Sequence, residues 1–399
     1  MRVKNINRRS FLKMSAMAGA GAALVRNDVR AAANPFTAPA YAQQKIEMPY
    51  RTLGRTGLKV PILSMGVMRA DNPNVVKAAY NSGIVHFDTA HGYQQGKNEV
   101  MLGEFFADKP RDSFIIATKE HYDYPNEGFE GRFMEQFDLS LERLKMKYVD
   151  ILYLHGVRDV EQLEDKRILD LVKQLKDSGK AHFVGFSTHA GKPEQLIKAA
   201  EVGAYDVILV SYNFKLKNLE ETNAAIAKAA EAGIGIVAMK TMAGGTEGPD
   251  RKKIVNAQAC LKWAWKNENI TTIIPGFTSF DELDKCIAAV QSPELTDEES
   301  KYLASLRDCE MLYCQQCEKC LAQCPENLPI PDMMRAYMYA YGYNYARMTK
   351  ETLASLNLPA NVCSSCKDGC KVACPSGFRV GDKIAAIMPV MNVPDALLT

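Results

Sequence analysis

Short apolar runs alternate with longer amphipathic segments from about residue 49 to residue 290. The apolar runs predict eight strands, at residues 62–67, 85–89, 114–118, 150–154, 182–187, 207–211, 235–239 and 272–275. The segments between them have helical spacing, as at residues 132–145, 165–178, 193–202, 218–232 and 252–266. Regular alternation of strand and helix predicts parallel βαβ units, and eight of them favour a TIM (β/α)8 barrel over an open doubly wound sheet.

Two further patterns support the barrel. A doubly wound sheet would need a glycine-rich phosphate-binding turn after its first strand, and Gly66-Val67-Met68 is not such a turn. Ahead of the first strand, residues 51–53 and 58–60 flank Gly54-Arg55-Thr56-Gly57. This arrangement predicts a hairpin that covers the floor of the barrel.

The N-terminus has the composition of an export signal. Asn7-Arg8-Arg9-Ser10-Phe11-Leu12-Lys13 precedes a stretch rich in Met, Ala and Gly, and it resembles the bacterial twin-arginine signal. Cleavage is expected after Ala42 rather than at Ala31–Ala33. The signal predicts a periplasmic protein that is exported in the folded state. The alternative is a basic amphipathic N-terminus with no role in export.

Charge and hydropathy argue against nucleic-acid binding and against a membrane-spanning segment. The net charge is +2 over 399 residues, so the chain has no basic footprint for nucleic acid. No apolar run reaches the roughly eighteen residues that a membrane span needs. We therefore expect neither a nucleic-acid partner nor a transmembrane segment in the mature protein.

The eleven cysteines are concentrated near the C-terminus, with none before Cys260. One run is Cys314-x2-Cys317-x2-Cys320-x3-Cys324-Pro325, and the second is Cys363-x2-Cys366-x3-Cys370-x3-Cys374-Pro375. The first has the spacing of bacterial ferredoxins, in which the fourth cysteine binds the neighbouring cluster. By that logic one [4Fe–4S] cluster is bound by Cys314, Cys317, Cys320 and Cys374, and the other by Cys363, Cys366, Cys370 and Cys324.

The second run has one extra residue before Cys370, and Gly369 is expected to absorb it in a turn with positive φ. The sequence predicts two clusters, or at least one, with a zinc site as the alternative. The expected organisation is a signal peptide over residues 1–42, a barrel over 49–295, and a small, mainly α-helical, ferredoxin-like iron–sulfur domain over 300–390. Between the two cysteine runs, Tyr337, Tyr341 and Tyr345 are predicted to share one helical face, for packing or for electron conduction.

Polar side chains gather where the predicted strands end. The second, third and fourth strands lead into Asp88, Lys119 and His155, and later strands lead into Ser187, Thr188, His189, Asn213 and Lys240. Active sites of TIM barrels lie at the carboxyl ends of their strands. The sequence therefore predicts an active site at this end, with His121 and His189 among the residues expected to line its mouth.

The motifs at these strands resemble those of the aldo/keto reductases. The resemblance rests on Phe87-Asp88-Thr89-Ala90-His91-Gly92-Tyr93, Asn98-Glu99-Val100-Met101-Leu102-Gly103, Ile115-Ile116-Ala117-Thr118-Lys119 and Asp150-Ile151-Leu152-Tyr153-Leu154-His155. It extends over residues 50–290. With the cysteine runs included, the chain is similar to the branch of that family that carries a C-terminal ferredoxin-type module.

The resemblance implies a catalytic tetrad of Asp88, Tyr93, Lys119 and His155. Reduction of a carbonyl builds negative charge on its oxygen, which must be protonated or hydrogen-bonded as it forms. Tyr93 would exchange that proton, with its pKa lowered by the Lys119 cation that Asp88 holds in place. His155 would orient the carbonyl.

The resemblance also implies NAD(P)(H), bound near Ser187, Thr188, Asn213, Met239 and Gly276. Several of these positions depart from the family pattern: Thr188 stands where Asn is usual, and Met239 where an aromatic is usual. The segment after the eighth strand contains acids in place of the Lys and Arg that contact the 2′-phosphate of NADP. Acids there would repel a phosphate, so the choice between NAD and NADP stays open.

Three functional hypotheses follow. The first is an exported oxidoreductase that interconverts a carbonyl and an alcohol with a nicotinamide cofactor, with electrons exchanged through the clusters. Its substrate would be a small molecule, a sugar among the candidates, and its electron partner a redox protein or a quinone-linked carrier. The second is an iron–sulfur electron-transfer protein whose barrel is a docking or sensing module. The third is a barrel that uses another organic cofactor.

Overall fold

The computed structural model describes residues 47–398, except 190–192, 248–252, 310–311, 360–361, 364–365 and 367–368. The predicted signal peptide, residues 1–42, lies outside the described residues. All the described residues belong to one compact unit. None of the helices in this part of the chain is both long and apolar enough to cross a membrane.

Eight parallel strands form the barrel wall, as the alternating pattern predicts. In order around the sheet, each strand pairs with the next one along the chain. A parallel bridge between Leu63 and Ile273 joins the first strand to the last and closes the barrel. The strands are β3 Met65–Gly66, β4 His86–Asp88, β5 Ile115–Glu120, β6 Val149–Leu154, β7 Ala181–Thr188, β8 Val207–Ser211, β9 Gly235–Met239 and β12 Thr272–Ile273.

The predicted hairpin covers the floor of the barrel. Its strands, β1 Tyr50–Thr52 and β2 Lys59–Pro61, are antiparallel. Gly54 at the turn lies so close to the barrel that an added Cβ would be 2.3 Å from the backbone nitrogen of Gly235. Arg55 donates to the carbonyl oxygens of Gly203 and Tyr205, at 2.8 and 2.6 Å. The amino-terminal end of the barrel is therefore closed, which leaves the carboxyl ends of the strands for chemistry.

Amphipathic helices surround the barrel. They are α1 Pro73–Asn81, α2 Lys97–Phe106, α3 Phe129–Leu144, α4 Lys166–Asp177, α5 Pro193–Val202, α6 Leu219–Glu231, α7 Ala257–Trp265 and α8 Phe280–Gln291. A short hairpin of β10 Thr246–Glu247 and β11 Lys253–Ile254 lies between β9 and α7. The barrel interior has its own apolar cluster, which includes Ile151, Leu209 and Val237, and a larger cluster fills the layer between sheet and helices.

The C-terminal part is small and mainly helical, as predicted. Helix α9 Asp297–Leu306 begins with a capping box formed by Thr296 and Glu299. The remaining helices are α10 Ile330–Gly342, α11 Ala346–Ala354 and α12 Val380–Ile387. Tyr337 and Tyr341 do share a face of α10, with ring centroids 4.7 Å apart. Tyr345 was wrongly placed on that face, because the helix ends at Gly342 and Tyr345 precedes α11.

Candidate active site at the barrel mouth

The four predicted catalytic residues converge at the carboxyl ends of neighbouring strands, a region called here the mouth. Asp88 ends β4, Lys119 lies near the end of β5, and His155 follows β6. Lys119 Nζ donates to Asp88 Oδ1 and, at 2.6 Å, to the carbonyl oxygen of Thr89. Both members of the Lys119–Asp88 ion pair are buried. A buried cation is thus held at a fixed point below the mouth.

Tyr93 and His155 lie beside this ion pair. The Tyr93 ring centroid is 5.1 Å from Lys119 Nζ and 6.1 Å from the His155 ring, which meets it edge-on. Tyr93 begins a short turn in which Gln94 and Gln95 have positive φ. The side chain of Gln94 anchors that turn by donating to the carbonyl oxygens of residues 68 and 70. The structure therefore brings together all four residues of the predicted tetrad.

Protonation differs in one respect from the sequence-based expectation. Burial raises the pKa of Tyr93 well above its usual value of 10, and Asp88 raises it further, whereas a lowering by Lys119 was expected. Burial lowers the pKa of His155 well below its usual 6.5, with further lowering from nearby His121 and Lys119. Near neutral pH the mouth thus presents a neutral phenol and a neutral imidazole. This combination suits proton donation to a carbonyl oxygen.

Two further histidines join His155 at the mouth, as the sequence predicts. The ring of His121, which is exposed, stacks on His155 at 4.0 Å and 20°. The ring of His189 lies 6.4 Å from His155 on the other side. The Nδ1 atoms of His155 and His189 are buried and have no hydrogen-bond partner among the described residues. Such atoms are available to a bound ligand.

A buried acidic pair behind the tetrad has no role in the sequence-based interpretation. Ser140 Oγ lies 2.7 Å from Glu120 Oε1 and 3.0 Å from Glu99 Oε2. One hydroxyl hydrogen cannot serve both carboxylates, so one acid must carry a proton. Burial raises the pKa of Glu120 to about 9, which identifies it as the protonated one. Glu99 lies in a motif quoted above, but its partner Glu120 gave no sequence signal.

The residues predicted to hold the nicotinamide are engaged in other contacts. Ser187 Oγ accepts a hydrogen bond from the Gly156 backbone at 2.9 Å. Asn213 donates to the carbonyl oxygen of Lys240 at 3.1 Å and accepts from the backbone of Lys215 at 3.0 Å. Thr188 is buried, and Met239 belongs to the apolar cluster inside the barrel. Gly276 packs against the first strand, where a Cβ would lie 3.3 Å from Gly66 O.

Residues 312–398, called here the cysteine-rich segment, pack over the mouth. Lys240 Nζ lies 5.2 Å from the Tyr339 ring centroid, and Arg69 donates to the carbonyl oxygen of Tyr343 at 3.2 Å. The side chain of Gln315 donates to the carbonyl oxygen of Lys215 at 2.8 Å. The sequence gave no indication of this docking.

The cysteines form the two groups that crossed ferredoxin-type ligation requires. Cys314, Cys317, Cys320 and Cys374 lie among the residues that line one cavity. In the second group, burial raises the pKa of Cys363 to about 11, with further increases from Glu326 and from the thiols of Cys366, Cys370 and Cys324. Cys374 thus lies with the first run and Cys324 near Cys363, which agrees with the predicted crossed grouping. Four thiols around one cavity are a donor set that fits a [4Fe–4S] cluster.

The extra residue of the second run is absorbed where the sequence predicts. Gly369 has a φ of 88°, a conformation that other residues rarely adopt. Its backbone nitrogen donates to the carbonyl oxygen of Cys366 at 3.1 Å, which closes a tight turn before Cys370. The departure in spacing thus leaves Cys370 near the other members of its group.

Comparison with known proteins establishes the family. A model described as the aldo/keto reductase family matches residues 63–253. The uncharacterized oxidoreductase YrpG of Bacillus subtilis is 31% identical over 227 residues, which cover 50% of this chain and 68% of that protein. This chain belongs to the aldo/keto reductase family. It is therefore an oxidoreductase.

Other relatives agree with this assignment. L-galactose dehydrogenase of Arabidopsis thaliana is 29% identical over 299 residues, covering 63% of this chain and 90% of that protein. L-glyceraldehyde 3-phosphate reductase of Escherichia coli O157:H7 is 24% identical over 318 residues, with the same coverages. The solved structure of the aldo-keto reductase AKR11C1 from Bacillus halodurans, in its holo form, superposes with a TM-score of 0.53 at 22% identity. It covers 65% of this chain and 96% of that one, which confirms the barrel fold.

This aldo/keto reductase carries two additional matches at its ends. A model of the twin-arginine translocation pathway signal sequence matches residues 5–25. A model of a 4Fe-4S dicluster domain matches residues 313–379, which include both cysteine runs. The predicted combination of export signal, reductase barrel and iron–sulfur domain is confirmed.

The family implies a nicotinamide dinucleotide, and the site expected for it in this reductase departs from the family pattern at the adenosine end. At the adenosine end, Glu282 accepts hydrogen bonds from Thr278 N and Oγ1, at 2.7 and 3.2 Å. A carboxylate there repels a phosphate.

Proposed function

We propose that this aldo/keto reductase is an exported oxidoreductase that interconverts a carbonyl and an alcohol, with electrons exchanged through [4Fe–4S] clusters. The observation that carries the proposal is the buried Lys119–Asp88 ion pair beside Tyr93 and His155. The arrangement places one cation, one phenol and one imidazole at a single point of the mouth. Those are the groups that a polarised carbonyl oxygen requires.

The four residues have separable roles in reduction. The carbonyl oxygen takes its proton from the Tyr93 phenol, whose raised pKa keeps it protonated in the resting site. Neutral His155 orients that oxygen through a hydrogen bond. Lys119 stabilises the negative charge that develops, and Asp88 fixes the ammonium group in position. In oxidation Tyr93 would accept the hydroxyl proton of the alcohol only in its deprotonated form, which its raised pKa disfavours near neutral pH, so the site is better suited to reduction.

The cysteine-rich segment would hold two clusters. Cys314, Cys317, Cys320 and Cys374 line one cavity, and the remaining thiols form the second group. Bound clusters supply one-electron transfer. Reduction of a carbonyl to an alcohol adds a hydride to carbon and a proton to oxygen. A nicotinamide, as the family implies, would supply the hydride, and the clusters would exchange its two electrons one at a time. The electrons would come from, or go to, a redox protein or a quinone-linked carrier.

The substrate class follows from the mouth and from the relatives. The mouth is lined by histidines and by charged side chains, which suits a hydroxylated compound. The names of two relatives refer to L-galactose and to L-glyceraldehyde 3-phosphate. We therefore propose a sugar or a sugar-derived carbonyl compound as substrate.

The test measures turnover by anaerobically purified protein. A panel of aldoses with three to six carbons, free and phosphorylated, is offered with an artificial one-electron donor, with and without added NAD(H) or NADP(H). We expect turnover of at least one aldose, lost in Tyr93→Phe and kept in Tyr50→Phe, an exposed tyrosine on the barrel floor. Full activity of Tyr93→Phe would refute the assignment of the tetrad.

One observation favours a second candidate, an electron-transfer protein whose barrel serves for docking. The cysteine-rich segment covers part of the mouth, and the nicotinamide positions are engaged in internal contacts. Cluster reduction by a carrier protein, with no turnover across the panel and no effect of Tyr93→Phe, would select this candidate.

The twin-arginine signal supports export to the periplasm in the folded state. Folded export suits clusters that are assembled in the cytoplasm, because bare thiols tend to oxidise in the periplasm. Fractionation of cells that express the full chain should place the protein in the periplasm. Replacing Arg8 and Arg9 with lysine should retain it in the cytoplasm, and unchanged location would refute the proposed route.

A further inference from the structure

The two groups of cysteines differ in how they contact the barrel. In the crossed grouping, the first group consists of Cys314, Cys317, Cys320 and Cys374, and the second of Cys363, Cys366, Cys370 and Cys324. Gln315, next to Cys314, donates to the carbonyl oxygen of Lys215 in the loop after β8, at 2.8 Å. From the same loop, Lys217 donates to the carbonyl oxygen of Pro375, next to Cys374, at 2.5 Å. The first group is therefore fixed to the barrel through both of its ends.

Cys314 extends this contact to the mouth. It lines a small cavity together with His189 and Lys240 of the barrel. His189 follows β7, and its ring lies 6.4 Å from the ring of His155. One side chain, that of His189, thus lies between the cavity lined by Cys314 and a member of the tetrad. The first group is close to the place where a carbonyl would react.

The second group contacts the cysteine-rich segment itself. The backbone nitrogen of Cys363 donates to the Glu326 carboxylate at 2.6 Å. Cys370 packs against Gly381 of α12, where an added Cβ would lie 2.5 Å from the Cys370 Cβ. Cys370 is also exposed, as is Lys371 beside it. None of the four cysteines of this group, all of them described, lines the cavity that Cys314 shares with the barrel. The second group is therefore the outer one relative to the mouth.

We propose that the two groups act in a fixed order, in which the first group exchanges electrons with the mouth and the second exchanges them with the redox partner. The inference rests on the proposed function and adds the order of the electron path. Its physical basis is that electron tunnelling weakens steeply with distance, and the first group is the nearer one.

The electrons and protons of one reduction balance along this path. The reduced partner loses two electrons in two one-electron steps, and they pass through the second group and then the first. The hydride that is added to carbon contains these two electrons and one proton from solvent. The proton on the product's oxygen comes from Tyr93.

The first test measures whether a charge at the mouth acts on the first cluster alone. Lys240→Met removes the cation that lines the cavity with Cys314 and keeps an apolar side chain beside the Tyr339 ring. Loss of a nearby cation disfavours the reduced, more negative cluster, so the reduction potential of the first cluster should fall. A redox titration followed by electron paramagnetic resonance measures both potentials in one sample. The potential of the second cluster should stay at the parent value.

A matched pair of variants assigns the two resonance signals. Cys317 and Cys370 are both exposed, and they belong to different groups whether or not ligation is crossed. Cys317→Ser should remove the first signal and Cys370→Ser the second, with iron analysis to show that the other cluster remains. Lys59→Met, in the floor hairpin, is the control for a lost charge, and both of its potentials should match the parent. A shift confined to the second cluster, or no shift in Lys240→Met, would overturn the inference.

The second test shows which cluster turnover requires. Reduced methyl viologen, a small one-electron donor, replaces the partner, and any nicotinamide that the parent protein needs is supplied in its oxidised form. Because such a donor can reach either exposed group, Cys370→Ser should keep turnover of the best aldose in the panel, and Cys317→Ser should lose it. Turnover kept in Cys317→Ser would overturn the inference. Absence of turnover in the parent protein would refute the proposed function, and the potentials of Lys240→Met would still decide which group lies at the mouth.

Discussion

A substitution at Gly342, at the end of α10, tests whether the cysteine-rich segment packs over the mouth. A Cβ added at this position would lie 2.4 Å from the carbonyl oxygen of Gly244 and 3.0 Å from Leu312 Cδ1. The oxygen belongs to the backbone of the loop after β9 and cannot rotate away as a side chain would. In Gly342→Ala, α10 and this loop must therefore separate.

The free-energy cost of Gly342→Ala can be bounded from this steric contact. Forcing one extra carbon into a packed interface costs about 1–3 kcal/mol. At 1.36 kcal/mol for each factor of ten, the population in which α10 is separated from the loop after β9 should rise about 5-fold to 150-fold. Hydrogen–deuterium exchange with mass spectrometry measures that opening at the amides of α10 and of the loop at residues 240–245. Both peptides should exchange faster by this factor, while the floor hairpin β1–β2 should not change.

Gly131→Ala is the matched control. Gly131 lies in α3, and an added Cβ there meets no atom within 4 Å. The control therefore measures the gain in helix propensity, up to about 1 kcal/mol, without the steric cost. Equal exchange in the parent, Gly342→Ala and Gly131→Ala would refute the packing of α10 against the loop after β9.

Three further predictions concern buried charges and thiols. Asp88→Asn leaves Lys119 buried without its carboxylate, so urea unfolding should show a loss of about 3–5 kcal/mol. Glu120 keeps its proton up to a pKa of about 9 when folded and loses it near 4.5 when unfolded, so it makes stability fall as pH rises between those values. Glu120→Gln should flatten that decline in unfolding midpoints between pH 5 and 9, and an unchanged slope would refute the assignment. Cys374→Ser should remove the first cluster and Cys324→Ser the second, which iron analysis and paramagnetic resonance distinguish; loss of the same cluster in both would refute the crossed grouping.

The barrel could be predicted because its signals are local and repeated. Strands β8 and β9 match their predicted bounds, since buried parallel strands are continuous apolar runs bordered by polar residues. The same regularity places Asp88, Lys119 and His155 at one end of the barrel, because parallel strands bring their carboxyl ends together, whereas Tyr93 and the tetrad as a set came from the resemblance to the aldo/keto reductases. Strand β3 is shorter than predicted, since residues 62–64 join the first strand to the last through single contacts.

The cysteine groups could also be predicted, because thiolate spacing is a chemical constraint that survives without any knowledge of the fold. Gly369 shows this most directly: one extra residue in a ligand loop requires a turn that glycine provides, and its φ is 88°. The position of Tyr345 could not be predicted, because the helical period continues past Gly342 while the helix does not.

The docking of the cysteine-rich segment left no signal in the sequence. Its contacts join residues more than 90 positions apart, such as Gln315 with the carbonyl oxygen of Lys215, and Arg69 with that of Tyr343. Backbone carbonyls accept those bonds, and every residue has one. The raised pKa of Tyr93 has the same origin, since the segment that buries the phenol is remote in the chain.

The order of elements along the chain connects the predicted clusters to the candidate active site. Helix α10 lies between the two cysteine runs, and in the predicted crossed ligation each run contributes its last cysteine, Cys324 or Cys374, to the cluster of the other. Crossed ligation would therefore fix both ends of the connection that contains α10, the helix that packs against the loop after β9. On the proposed function, cluster insertion would fix this helix over the mouth and complete the electron path. A chain exported unfolded would leave the cytoplasm without its clusters, which agrees with the twin-arginine signal at the N-terminus.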